Sequence, residues 1–218
     1  LDIWPIRCKV PPVNSYLVRG DSGFVLIDTG FRSGLRHLEA VLAGAGCLPG
    51  QLRLIVITHG DFDHSANAAY LRSKYGAPIA MHAADAPMVE LGDMFAGRSR
   101  SNPLVRGLAN ALFRITTFAP DQLLEDGQSL RPNGLDATVL SLPGHSKGSI
   151  GVLTADGCLF CGDLIDSSGP RPRLTSLLDD AREAGDSLDR LTQLGVKQVY
   201  PGHGRPFAMS EVTGPRGS

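Results

Sequence analysis

Leu52, Leu54, Ile55, Val56 and Ile57 form an apolar run that passes directly into Thr58-His59-Gly60-Asp61-Phe62-Asp63-His64. The run reads as a buried strand, and it ends in four titratable side chains, His59, Asp61, Asp63 and His64. Placing such groups at the end of a buried strand is unfavourable unless something offsets their desolvation. A divalent cation does so, because imidazole and carboxylate ligands together suit Zn, Fe or Mn. The fold is therefore expected to bring further ligands to this loop. Taken alone, the same residues would also suit an ordinary polar loop.

The surrounding pattern mixes strand and helix periods. Residues 3–10, 15–19 and 24–28 read as short strands, the last after the Gly20-Asp21-Ser22-Gly23 turn. Residues 33–45 put Leu35, Leu38, Val41 and Leu42 on one helical stripe. Beyond the His/Asp loop, a helix is expected over 65–75, stopped by Gly76 and Pro78, then a strand over 78–81 and a helix over 84–91. Residues 92–127 break the alternation, with Met94, Phe95, Leu104, Leu108, Leu112, Phe113 and Phe118 scattered among Arg98, Arg100, Arg106 and Arg114. That stretch suits either a helical lid over a pocket or an inserted helix pair packed into the core. The second half repeats the first, with strands expected over 137–142, 150–154 and 158–161, a helix over 174–194 and a strand over 198–200. Periodicity gives a mixed α/β (α+β) class, with residues 1–213 as a single domain.

Composition narrows the partners. At 218 residues, with 42% hydrophobic side chains, the chain can bury a sizeable core. Its 21 basic and 22 acidic side chains nearly cancel, which argues against nucleic acid or an anionic membrane as partner. No apolar run approaches the roughly 20 residues of a membrane span. A small-molecule substrate and a cytoplasmic location are the resulting expectations, with the oligomeric state unassigned. The first residue is Leu1, which leaves a removed secretion leader open, and Gly214-Pro215-Arg216-Gly217-Ser218 reads as an expression-derived tail. Cys8, Cys47, Cys158 and Cys161 are too few for a disulfide framework. Cys158 and Cys161 are spaced like a metal pair, but they lie in a strand pattern and read as buried thiols.

Three further loops share the character of the first: a strand ends, a glycine frees the backbone, and a His or Asp follows. They are Leu142-Pro143-Gly144-His145-Ser146, Cys161-Gly162-Asp163 and Tyr200-Pro201-Gly202-His203-Gly204. With these in place, the chain resembles the metallo-β-lactamase-fold superfamily of metallohydrolases, which includes glyoxalase II, acyl-homoserine lactonases and the flavodiiron proteins. The resemblance runs from Leu26-Ile27-Asp28-Thr29-Gly30 to Pro201-Gly202-His203-Gly204 in the family's order. It implies a four-layer αββα sandwich. It also implies a site in which His59, His145 and residue 61 hold one cation, Asp63, His64 and His203 hold a second, and Asp163 bridges them. Asp28 would order the ligand loop from behind.

The family pattern is His-x-His-x-Asp-His, and this chain carries Asp61 where the second His stands. With two divalent ions, three carboxylates and a bridging hydroxide, the ligand shell would be electrically neutral. With His at 61 it would carry one positive charge. A hard anionic oxygen shifts preference from Zn, the usual family metal, toward Fe or Mn, so Asp61→His is expected to favour zinc. An alternative is that Asp61 leaves the first site weak and its metal labile. The resemblance implies a metal-dependent hydrolase in which hydroxide held between two metals attacks an ester, thioester, lactone or related bond, with Asp63 positioned to take the proton. The rival readings are a di-iron redox protein related to the flavodiiron core, or a non-catalytic metal-binding domain. Lys147 and Ser146 follow a ligand directly, but Lys147 reads first as a solvated loop charge. His82 reads first as a structural histidine, and His37 as a surface residue.

Overall fold

The computed structural model describes residues 1–98 and 103–212, apart from the side chain of Val105. The expected tail at 214–218 lies outside the described residues. The first sheet is assembled in chain order from β1 (Ile3–Lys9), β2 (Pro12–Gly20), β3 (Gly23–Ile27), β4 (Leu52–Val56), β5 (Ile79–Met81) and β6 (Gln122–Leu123). β1 to β3 form an antiparallel meander, and β3 to β6 run parallel. The remaining strands are β7 (Ala137–Ser141), β8 (Ile150–Thr154), β9 (Cys158–Phe160), β10 (Ile165–Asp166), β11 (Arg173–Leu174), β12 (Gln198–Tyr200) and β13 (Phe207–Ala208). They form a second sheet in the order β13-β12-β9-β8-β7, with β10 and β11 as a separate pair.

Strand alternation explains why these sheets stack face to face. Val25 and Ile27 of β3 and Leu54 and Val56 of β4 meet Val139 of β7, Val152 of β8 and Phe160 of β9 in the central core. The opposite faces need covering, and helices cover them. Phe24, Leu26 and Ile55 pack against α1 (Leu35–Gly44) and α3 (Ala68–Tyr75). Leu140, Leu159 and Cys161 pack against Ala184, Leu188 and Leu191 of α6 (Ala181–Gln193). The result is the expected αββα order of layers. Two short helices, α2 (Phe62–Ser65) and α4 (Ala86–Leu91), and the amphipathic α5 (Pro103–Leu112) complete the set. Among the described residues, no helix is long and apolar enough to cross a membrane.

Several expected elements are corrected. The helix expected over 65–75 is split at Asn67, because its side-chain amide donates to the carbonyls of Thr29, Gly30 and Phe31. The helix expected over 174–194 starts only at Ala181. There the Asp180 carboxylate accepts from the N–H groups of Arg182 and Glu183 and caps it, while Leu174 pairs in β11. Within 92–127 the described residues hold one helix, α5, rather than a pair. An extended segment follows α5, buries Phe118 and ends in β6. All four cysteines are free, and Cys158 is half-buried rather than buried. Burial pushes the Cys161 thiol up to about 12.

Candidate functional site

β3 and β4 run parallel in one sheet. In the other, β7 pairs antiparallel with β8, which pairs antiparallel with β9, and β9 runs parallel to β12. β7, β9 and β12 therefore share a direction, and the loops after them emerge at one edge. A hydrogen bond from Ile150 N–H to the Thr58 carbonyl (2.9 Å) joins the two sheets at that edge. The loops that follow β4, β7, β9 and β12, with the short α2 that continues the first of them, carry all seven expected residues.

These side chains converge as two trios. His59, Asp61 and His145 offer ligand atoms that lie within 4.8 Å of one another, and so do Asp63, His64 and His203. Asp61 Oδ2 is 3.0 Å from His145 Nε2 and 3.7 Å from His59 Nε2. Asp63 Oδ2 is 3.3 Å from His203 Nε2 and 3.7 Å from His64 Nε2. Asp163 stands between the trios, with Oδ1 3.2 Å from His64 Nε2 and Oδ2 at 3.1 Å from His203 Nε2 and 4.0 Å from His59 Nε2. Such closeness requires a residue without a side chain beneath it: a Cβ at Gly202 would lie 2.1 Å from Asp163 Oδ1 and 2.7 Å from His64 Cε1.

Each imidazole is oriented from behind through Nδ1. His64 Nδ1 donates to Asp28 Oδ2 (2.8 Å), His145 Nδ1 to the Leu177 carbonyl (2.5 Å) and His203 Nδ1 to the Pro12 carbonyl (2.7 Å). The Thr58 hydroxyl donates to Asp28 (2.8 Å), so its oxygen accepts from His59 Nδ1 at 3.0 Å. With Nδ1 committed as donor, every Nε2 faces the centre, and its lone pair, once the proton there is released, has the orientation a metal ligand needs. Asp28 also accepts the Thr58 N–H at 2.8 Å, and it holds a left-handed φ of 59° to do so.

The electrostatics ask for a cation. Burial and the neighbouring His64 and His145 push His59 well below the ordinary imidazole range. Burial opposes charge on His64 as well, but the Asp163, Asp63 and Asp28 carboxylates outweigh it and raise its pKa well above the usual value. For His203, burial is overcome by hydrogen bonds to Asp163 and Asp63, and its pKa rises to about 10. Asp163 is held well below the carboxylate range against burial, by His64, His203 and His59. Protons satisfy this cluster incompletely. His59 Nε2, His64 Nε2 and Asp163 Oδ1 are buried and make no hydrogen bond. Buried polar atoms left in this way are costly, and a divalent cation in each trio would satisfy all three. The donor set, imidazole and carboxylate only, fits Zn, Fe or Mn.

A model of the metallo-beta-lactamase superfamily matches residues 8–203. The chain belongs to this superfamily. It is 30% identical over 220 residues to acyl-coenzyme A thioesterase MBLAC2 of Homo sapiens, covering 91% of this chain and 75% of that protein. An atrochrysone carboxyl ACP thioesterase of Aspergillus fumigatus is 25% identical over 202 residues, covering 92% of this chain and 53% of that protein. Among solved structures, a di-iron-bound protein at 28% identity aligns with a TM-score of 0.75 over 95% of each chain. The B3 metallo-beta-lactamase BLEG-1, at 22% identity and a TM-score of 0.76, shares the fold over 96% of this chain and 95% of its own. The chain is accordingly an enzyme, a metal-dependent hydrolase of the metallo-beta-lactamase superfamily.

Two residues of the site escape a reading of this superfamily's motifs. Asp85 is buried and accepts from Gly60 N–H (3.0 Å), the Ser146 hydroxyl (2.6 Å) and Gly148 N–H (2.8 Å), which locks the first ligand loop to the loop bearing His145. Arg98 places Nη2 2.6 Å from Asp61 Oδ1. In sequence Asp85 falls inside the helix expected over 84–91 and has no reading of its own, and Arg98 is one of several arginines in an irregular stretch. Lys147 is exposed, as expected, and His37 is exposed on α1. His82 accepts from Ala84 N–H (3.1 Å), a local structural role.

Proposed function

We propose that the chain hydrolyses acyl thioesters with two divalent cations, one held by His59, Asp61 and His145 and the other by Asp63, His64 and His203, with Asp163 shared between them. The observation that carries this reading is the pair of trios joined by Asp163, with His59 Nε2, His64 Nε2 and Asp163 Oδ1 buried and unpaired. Cations bound there would supply an ionised water nucleophile and polarise the scissile carbonyl. The chain's own contribution is geometry. Asp28, Thr58 and the carbonyls of Leu177 and Pro12 fix the imidazoles, and Asp85 fixes the loops that bear them. Asp63 is the proton acceptor for the nucleophile, since it lies at the edge of the second trio and is more open than Asp61 or Asp163.

A thioester substrate is supported by two observations. Relatives in the superfamily carry thioesterase names. A cleft of about 210 Å³ is lined by Pro11, Phe31, Phe62, Ala66, Leu112 and Phe113 together with Arg32, Ser33 and Arg114, a largely apolar surface suited to an acyl chain with two cationic side chains beside it. Two of its lining residues are chain neighbours of site residues: Phe62 lies between Asp61 and Asp63, and Pro11 precedes Pro12, whose carbonyl holds His203.

The test is elemental analysis of the purified protein, followed by thiol release from acyl-coenzyme A esters of graded chain length, with esters and lactones as comparison. Two cations per chain and a thioester preference are expected, with activity lost to chelation and regained with metal. Asp163→Ala should lower turnover at least about a hundredfold, because misplacing reacting groups by an ångström costs on that order. A metal-loaded protein that reduces oxygen or nitric oxide yet hydrolyses nothing would sink the reading.

A further inference from the structure

The substitution that sets this centre apart from its family pattern, Asp61 for His, has a partner elsewhere in the chain. Arg98 reaches in from the turn after α4 and places Nη2 2.6 Å from Asp61 Oδ1. It takes the oxygen that faces away from the imidazoles, because Oδ2 is the one near His145 and His59. The guanidinium therefore does not occupy the metal position but stands behind the carboxylate. It is only 13% exposed. Its Nε is buried without a hydrogen bond, and the other nearby carboxylate, Asp179, is 3.8 Å away.

The turn that carries Arg98 is built for the purpose. Asp93 accepts from Phe95 N–H (3.1 Å), and the Phe95 carbonyl accepts from Arg98 N–H (3.2 Å). The same Asp93 is held from α5 by Arg106 and by the Asn110 amide (2.7 Å). Residues 93–98 thus deliver Arg98 to Asp61.

We propose that Arg98 and Asp61 act as a single electrically neutral ligand, so that the pair supplies the charge a histidine would supply at position 61. This rests on the reading that Asp61 holds a cation. The physical argument is charge counting at short range. A lone Asp61 makes the ligand shell one charge more negative than a His would, and Arg98 returns that charge within a few ångströms of the metal. At such distances one unit charge changes cation binding by well over tenfold even at a high effective dielectric. The preference for hard metals expected from Asp61 alone is correspondingly offset. Asp61→His by itself no longer favours zinc, because it leaves Arg98 repelling a cation with no carboxylate between them.

The experiment is a double-mutant cycle read by metal affinity. Wild type, Arg98→Gln, Asp61→His, the double variant and Arg98→Lys are titrated with zinc and with manganese against a competing chelator, and thermal melts establish that each is folded. Arg98→Gln should bind the weaker cation at least about tenfold more tightly and gain manganese relative to zinc. Asp61→His should bind it at least about tenfold more weakly. The double variant and Arg98→Lys should both return to within a few-fold of wild type. A purely structural role for Arg98 would instead weaken binding in every variant and most in the double one, and that result overturns the proposal. So does Arg98→Lys behaving like Arg98→Gln, since charge would then not be what matters. Wild-type protein that binds fewer than two cations would show that the two-cation reading itself has failed. Normal wild-type binding with an unaltered cycle would remove only the role of Arg98.

Discussion

At the scale of single residues, Asp28 shows how much a centre can depend on an atom that never touches the chemistry. Its two oxygens accept from Thr58 N–H, the Thr58 hydroxyl and His64 Nδ1, and its backbone adopts a left-handed conformation to present them. Asp28→Ala removes the acceptor that fixes His64 and unpairs a buried N–H. Affinity for the second cation should fall about 10–100-fold, and stability by about 1–3 kcal/mol. Calorimetric metal titration and denaturant melts measure the two effects. Asn, which keeps one acceptor oxygen and tolerates the left-handed backbone, should fall between. The six residues of the two trios, Asp163 and Asp28 were legible in the sequence through the resemblance to the superfamily, whose motifs are short and local. Asp85 and Arg98 were not. Their significance lies in contacts with residues 25 or more positions away, Gly60, Asp61, Ser146 and Gly148. No local pattern separates such an acid or arginine from a cap or a solvated charge.

At the scale of elements, the longer strands were legible as short apolar runs, whereas β6, β10, β11 and β13, two residues each, leave no pattern to read, and helix boundaries moved wherever a side chain competed for backbone groups. Asn67 and Asp180 are the two cases, one splitting a helix and the other delaying it. The delay leaves residues 175–180 as a loop, and that loop brings the Leu177 carbonyl to His145. The stretch 92–127 was least legible because its apolar residues do not share one destination. Phe118 is buried, while Leu108 and Leu112 of α5 are exposed and Phe113 packs against Phe31 at 5.9 Å between ring centroids. If the cleft beside Phe62 receives an acyl chain, Phe113→Asp should penalise long-chain thioesters and spare short ones. The expected result is KM for a long-chain substrate raised about tenfold or more, the cost of losing a few buried methylene groups, with kcat for a short-chain substrate little changed. Equal losses for both lengths would place the chain elsewhere.

For the whole molecule, the centre joins the two sheets. The first trio draws its ligands from the loop after β4 in one sheet and the loop after β7 in the other, and the second from α2, which continues the β4 loop, and the loop after β12. A cation bound to both adds to the stability of the fold by mass action, so chelation should lower the melting temperature. The pH dependence follows from His203, whose pKa rises to about 10 in the folded chain without metal. A raised imidazole pKa stabilises the metal-free fold fully below its unfolded value near 6.5, and that contribution is lost as pH climbs through about 10. Metal binding requires the same imidazole deprotonated, so affinity rises over the same window. The gap in melting temperature between metal-loaded and chelated protein should therefore widen from pH 6 toward pH 9. A gap that is constant or narrows would mean that His203 does not bind the cation.

Two of the four imidazoles take their orientation from peptide carbonyls, at Pro12 and Leu177, rather than from side chains. Every amino acid brings a carbonyl, so a point substitution at either position changes the loop's outward chemistry without deleting the acceptor. The β1–β2 turn and the 175–180 loop are thus free to drift in side-chain identity while their backbone path is kept. A lineage built on this scaffold could exchange one substrate for another through those loops, with the histidines behind them inherited intact.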